Sequence, residues 1–154
     1  MKYWLMKTEP STFSIEDLAK APKRTTAWDG VRNYQARNML RDDFAKGDLA
    51  FLYHSSCEVP GIVGMMKVSR PAYPDHTAFD PDHDHFDADS RREEPRWFMV
   101  DVTLERHFSR VITLEMLRAH AARELAGMQL LRTGNRLSVM PIDESHWKFI
   151  LALE

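Results

Sequence analysis

Leu49-Ala50-Phe51-Leu52-Tyr53-His54 is apolar at five consecutive positions and follows the turn residues Gly47-Asp48. A strand with one wet face alternates polar and apolar residues, so a run this continuous is covered on both faces and belongs at the centre of a sheet. Its neighbours in sequence fit such a sheet. Gly61-Ile62-Val63-Gly64-Met65-Met66-Lys67-Val68 reads as a second strand whose glycines permit a bulge or a close approach. Tyr3-Trp4-Leu5-Met6 is a short buried strand ended by Pro10-Ser11. Phe98, Val100, Val102 and Leu104 alternate with Met99, Asp101, Thr103 and Glu105, the period of a strand with one wet face. Leu137-Ser138-Val139-Met140-Pro141 is a closing strand ended by proline.

Helices fall between and after these runs. Ser14 caps Ile15-Glu16-Asp17-Leu18, and Pro22 stops that helix. Tyr34, Arg37 and Arg41 recur at helical spacing with Met39 and Leu40 facing inward, and further helices follow Thr113 and Asp143. Strands interleaved with short, irregularly spaced helices, without regular βαβ units, predict an α+β fold: a mixed sheet or small barrel with peripheral helices. With no repeat or linker, residues 1–154 are expected to form one domain, long enough to bury roughly two thirds of the surface of the unfolded chain.

The formal charge of -2 excludes a broadly basic nucleic-acid coat, so any nucleic-acid contact must be focal. A single cysteine, Cys57, cannot form an internal disulfide, and no Cys/His spacing resembles a zinc site. The apolar start Met1 to Met6 is too short for a signal peptide or membrane span. The expected compartment is reducing and away from the membrane, the bacterial cytosol or nucleoid.

One segment carries more chemistry than a core needs. Trp28-Asp29-Gly30-Val31-Arg32-Asn33-Tyr34-Gln35-Ala36-Arg37 holds two aromatic rings, two guanidiniums, one carboxylate and two carboxamides. Rings can sandwich a planar heterocycle, carboxylate and carboxamides can pair with its edge, and arginines can hold a phosphate. Asp29-Gly30 marks a turn, where the Trp28 ring is less easily buried, whereas Trp4, Trp97 and Trp147 read as packing. The competing structural reading pairs Arg32 with Asp29 and plugs Tyr34 into the core.

Other constellations carry less. His76, His83 and His85 lie among six aspartates between Pro74 and Asp89, but the spacing matches neither a calcium loop nor a zinc set, and the stretch reads as a solvated acidic loop. His54 and Ser55 point to opposite faces of a strand and cannot activate one another. There is no nucleophile elbow and no phosphate loop before a helix. No metal or cofactor is expected.

Taken together, Tyr3-Trp4-Leu5-Met6-Lys7-Thr8-Glu9-Pro10, the Trp28 to Arg37 run, Gly47-Asp48 with Phe51-Leu52-Tyr53-His54-Ser55, Gly61-Ile62-Val63-Gly64, Ala72-Tyr73-Pro74-Asp75, Pro95-Arg96-Trp97 and Arg136-Leu137-Ser138-Val139-Met140-Pro141 resemble the EVE domains, in family order from end to end. Thr8 stands where many members have Ser. The resemblance implies a PUA-like mixed β-barrel with peripheral helices, related to readers of methylated adenine. It also implies a non-enzymatic pocket for a modified base of DNA or RNA, modified cytosine being the usual candidate.

Carried over by position, that pocket comprises Lys7, Thr8 and Glu9; Trp28, Asp29, Arg32, Asn33 and Tyr34; Tyr53, His54 and Ser55; and Arg136, Leu137 and Ser138. Trp28 with Tyr34 or Tyr53 would stack on the base, Asp29, Asn33 and Ser138 would read its edge, and Lys7, Arg32 and Arg136 would hold flanking phosphates. Two rivals stand beside this reader: a glycosylase-like enzyme using Asp29 or Glu9, and an adaptor for a small metabolite or peptide. A zinc deaminase is excluded, since His-x-Glu and Pro-Cys-x-x-Cys are absent. Any effector would be a separate protein, and the oligomeric state is left open.

Overall fold

The run Leu49–His54 is strand β3, buried along all but its first residue. The computed structural model describes residues 1–154, with β3 third from one edge of a six-stranded mixed sheet. The others are β1 (Tyr3–Thr8), β2 (Thr25–Ala27), β4 (Gly61–Pro74), β5 (Phe98–Thr113) and β6 (Val139–Ile142), in the order β2-β5-β4-β3-β1-β6. β1 and β3 run parallel; every other pair is antiparallel. The helices are α1 (Ile15–Lys20), α2 (Tyr34–Asp42), α3 (Leu114–Arg118) and α4 (Glu144–Leu153). None is long and apolar enough to cross a membrane.

Side chains explain these elements locally. Ser14 caps α1 in a reciprocal box, its hydroxyl accepting from Asp17 N–H at 3.1 Å while its own N–H donates to the Asp17 carboxylate at 2.9 Å. Asn33 caps α2 by accepting from Ala36 N–H at 2.9 Å. In the core, the fully buried Phe51 ring stacks on Trp147 of α4 at 3.8 Å and meets Phe108 edge-on at 6.2 Å. Gly64 lets α1 approach β4, because a Cβ there would lie 2.4 Å from Ile15 Cδ1.

The strands depart from expectation in three places. β4 runs on to Pro74 and β5 to Thr113, because four register shifts between them break the period-2 pattern while pairing continues. Pro71 falls within one of these shifts, between Arg70 and Tyr73, where no ladder donor is needed. The closing strand starts at Val139 and extends to Ile142, leaving Leu137 and Ser138 ahead of it. β2 is three residues long and too short to carry a periodicity.

The bulged β4–β5 ribbon coils the sheet, since each bulge bends its strand and adds twist. Thr26 and Ala27 of β2 and Lys7 and Thr8 of β1 lie toward opposite edges of the sheet, yet they line one cavity. The sheet has therefore rolled up until its edge regions face each other, which makes it a barrel with a seam. The cavity sits at that seam.

A single carboxylate fixes the loop that fills it. Asp75 is fully buried after β4 and accepts from Gly30 N–H at 2.8 Å, from Arg32 Nη1 at 3.0 Å and from Thr77 N–H at 2.9 Å. Gly30 has φ +77°, and a Cβ there would lie 2.3 Å from the His85 ring, so the position requires glycine on two counts. Burial alone would raise the Asp75 carboxyl; hydrogen bonds from Thr77, Gly30 and Arg32, with the Arg32 charge, outweigh it and hold the group below the usual carboxylate range.

A depressed folded value means that the stabilisation is complete above the unfolded pKa of about 4 and is lost as pH falls through the folded value. Asp75→Asn should cost roughly 2–3 kcal/mol at neutral pH, the range for hydrogen bonds to a charged group. In urea unfolding the gap between wild type and variant should be constant above about pH 5 and shrink in more acid solution. A gap that does not change with pH would refute the ionised Asp75 anchor.

Candidate functional site

The seam cavity has a volume of about 670 Å³, well within the range of about 300–1,000 Å³ usual for ligand pockets. One wall is Trp28, whose N–H donates to Val100 O on β5 at 2.7 Å. The ring is 7% exposed, more covered than its turn position led us to expect, so it forms a wall and does not project. It is the one tryptophan without an aromatic partner: Trp4 stacks on Phe44 at 4.1 Å, Trp97 on Tyr34 at 4.9 Å and Trp147 on Phe51. The second carbocyclic ring at the cavity is Phe13, from the turn before α1. Thr8 Oγ1 holds that turn by donating to Phe13 O at 3.0 Å.

Polar groups line the same space without internal hydrogen-bond partners for their side chains: Lys7, Glu9, Asp29 and Ser138. Burial lowers the Lys7 ammonium from its ordinary value, so an anion placed beside it would be favoured by restoring a counter-charge. His83 Nδ1 accepts the His85 N–H at 3.0 Å, which puts the His83 proton on Nε2 and makes that atom a donor. His85 lies over Gly30, its Nδ1 buried without a partner.

Ligand atoms of Asp29, His83 and His85 lie within 4.8 Å of one another. A cation at His83 Nε2 would have to move that proton to Nδ1 and break the bond to His85 N–H. The trio is better suited to donating and accepting hydrogen bonds.

The Asp/His segment is thus only partly the solvated loop expected of it. Asp80, Asp82, Asp84 and Asp89 are exposed, but Asp75 is the buried anchor, and Asp87 accepts from Trp97 Nε1 at 2.6 Å. The Trp97 bond, followed by the hydrogen bond from Asp89 N–H and then the Arg96 charge, lowers the Asp87 carboxyl.

Of the expected site residues, Lys7, Thr8, Glu9, Trp28, Asp29, Arg32 and Ser138 line the cavity. Arg32 does so as scaffolding. Its five N–H groups go to His85 O twice, Val31 O, Asp75 and Thr77, leaving none for a phosphate and correcting both the phosphate role and the Asp29 pairing. Asn33, Arg136 and Leu137 line a separate groove alongside.

Four residues line neither space. Tyr34 is 52% exposed, stacked on Trp97 with Arg37 over its ring, and so is neither a core plug nor a cavity wall. Tyr53 is buried in β3, with Lys7 Nζ 5.8 Å from its ring centre. His54 Nε2 accepts from Ile15 N–H at 3.1 Å at the start of α1, and burial lowers its pKa, keeping it a neutral acceptor. Ser55 N–H donates to Thr8 O at 2.9 Å and extends the β1–β3 ladder. These groups serve a central strand, which is why they do not reach the cavity.

Sequence reasoning missed Phe13, Thr26, Ala27, His83 and His85, all at the cavity. Phe13 carried a faint signal, an aromatic in an otherwise polar turn. The histidines carried another, two imidazoles two residues apart; a run of turns, and not a strand, sets their rings 4.8 Å from each other.

Residues 2–153 match the EVE domain family. Mouse thymocyte nuclear protein 1 is 49% identical over 166 residues, covering 99% of this chain and 73% of that protein. The crystal structure of human THYN1 in complex with 5-methylcytosine-containing DNA superposes with a TM-score of 0.93 at 45% identity, over 99% of this chain and 97% of that one. A crystal structure of a Pseudomonas syringae protein gives a TM-score of 0.92 at 47% identity, over 98% of both chains. The chain belongs to the EVE domain family.

Proposed function

We propose that this chain is a non-catalytic reader of modified cytosine in nucleic acid, taking one extruded base into the seam cavity. The observation that carries this reading is Trp28, the sole tryptophan without a ring partner, forming a wall of a cavity edged by unpartnered polar groups. The human relative in complex with 5-methylcytosine-containing DNA supports it. The work would be done where nucleic acid is, in the cytosol or nucleoid, with any downstream effect passed to a separate protein.

The chemistry matches a cytosine. Asp29 accepts from the N4 amino group, while the Ser138 hydroxyl and the His83 Nε2–H donate to the acceptors on the same edge. The 5-methyl group faces the apolar part of the wall, Trp28 and Phe13. Burying one methyl is worth about 0.8 kcal/mol, which converts to about fourfold in affinity. Flipping costs a few kcal/mol, so single-stranded or distorted sites should bind more tightly than intact duplex.

An oligonucleotide carrying one 5-methylcytosine should therefore bind about fourfold more tightly than its unmodified twin, and more tightly still as a single strand. Fluorescence anisotropy on DNA and RNA oligonucleotides measures both. Equal affinity for modified and unmodified strands would refute the reader. Release of free base on long incubation would instead establish the glycosylase.

Stacking on an aromatic is worth about 1–3 kcal/mol per base. Trp28→Ala should weaken binding about tenfold or more, while Trp28→Phe keeps a ring and most of the affinity. Thermal melts of both variants separate lost stacking from lost folding. A folded Trp28→Ala protein with unchanged affinity would overturn the stacking role.

A further inference from the structure

We propose that the polar groove beside the cavity is a track for the phosphodiester backbone on one side of the extruded nucleotide, an inference that rests on the base-reading role of the cavity. The groove has a volume of about 310 Å³ and is lined chiefly by Asn33, Gln35, Gln129, Arg132, Asn135 and Arg136. Two chain segments pass from one space to the other between consecutive residues: Arg32 lines the cavity and Asn33 the groove, Leu137 the groove and Ser138 the cavity. The two spaces therefore adjoin, divided by residues that are neighbours in the chain. A strand whose base enters the cavity has the groove within reach of a neighbouring phosphate.

The groove's chemistry selects an anion. Aspartate and glutamate make up 23 of the 154 residues, yet none lines it. Arg132 and Arg136 are exposed and join no ion pair, whereas Arg32, Arg41, Arg96 and Arg106 each pair with a carboxylate. The Arg136 guanidinium makes no hydrogen bond within the protein, and that of Arg132 only one, to Gly127 O at 3.3 Å. Free guanidinium forks match phosphate oxygens in pairs.

Two of the four carboxamides that line the groove, Asn33 and Asn135, are turned the same way. Asn33 Oδ1 is engaged by Ala36 N–H, and Asn135 Oδ1 by Gln129 Nε2 at 3.4 Å and Leu137 N–H at 3.5 Å. The Asn33 amino group is left as a donor, as is one N–H of Asn135, whose amino group also reaches Met140 Sδ at 4.0 Å. A surface that reads base edges needs acceptors as well as donors, and these two acceptors are already occupied. Phosphate contacts were expected of Lys7, Arg32 and Arg136; with every donor of Arg32 engaged inside the protein, Arg132 joins Arg136 in its place.

The test compares the full chain with Arg132→Gln/Arg136→Gln, measuring affinity for single strands with and without one central 5-methylcytosine over a range of salt concentrations. Two lost phosphate contacts should reduce the slope of log K against log salt by about 1.4, at about 0.7 per contact for single strands. Affinity should fall by the same factor for both oligonucleotides, leaving the methylation preference intact. Shortening the strand from one end, and not the other, should abolish the difference between wild type and variant.

A wild type that selects methylated strands, with a variant whose salt slope is unchanged, overturns the track alone. A loss confined to the methylated strand also overturns it, making the groove part of base recognition. Wild-type binding indifferent to methylation, with the slope change present, overturns the base reading and leaves a phosphate track. Absence of any oligonucleotide binding by the wild type overturns both.

Discussion

The carboxylate of Asp75 ties two distant parts of the chain into one wall. Fully buried, it draws in the N–H of Gly30 and the guanidinium of Arg32. Without these partners an ionised group there would face a desolvation cost of several kcal/mol. With them it fixes the loop that carries Trp28 and Asp29. Arg32 passes the constraint onward, since two of its bonds reach His85 O and set the His83–His85 segment over Gly30. The two loops that carry Trp28 to Arg32 and His83 to His85 are thus held at the cavity by one interior charge and its hydrogen bonds.

The position of the cavity follows from the sheet. A strongly bulged ribbon, β4 with β5, rolls the sheet until its two edge regions face each other, and the barrel stays unpaired along that line. Unpaired edges expose backbone groups and invite partners; here loops, a tryptophan and polar side chains occupy the seam. A flat base entering the space meets a ring wall and several unengaged donors and acceptors. The groove adjoins the cavity, so on the proposed reading base recognition and backbone contact would fall to adjoining but chemically different surfaces. The overall charge of -2 is no obstacle to a focal contact, because Arg132 and Arg136 line the groove with no carboxylate beside them.

Much of this architecture was legible in the sequence, for identifiable reasons. Leu49 to Tyr53 announced a central strand because burial on both faces leaves no polar positions, and the Ser14 and Thr113 caps marked helix starts because orphan N–H groups need acceptors. β2 was invisible, being three residues long, and the far halves of β4 and β5 were hidden by bulges that interrupt alternation. At the site, Lys7 to Glu9, Trp28, Asp29 and Ser138 were legible through motif order. Motif order does not encode which way a side chain points, so Tyr53, His54 and Ser55 were grouped with them although they serve the central strand. Phe13, His83 and His85 join the cavity through contacts between segments far apart in sequence, which no local pattern records.

The central claim is that the base stands against Trp28 within the seam. The most direct measurement is an intermolecular nuclear Overhauser effect between the 5-methyl protons of a bound 5-methylcytosine strand and the protein. Cross-peaks to the Trp28 indole and the Phe13 ring are the predicted result. A bound strand whose methyl protons contact neither ring, and instead contact Tyr34 on the outer surface, would contradict the account.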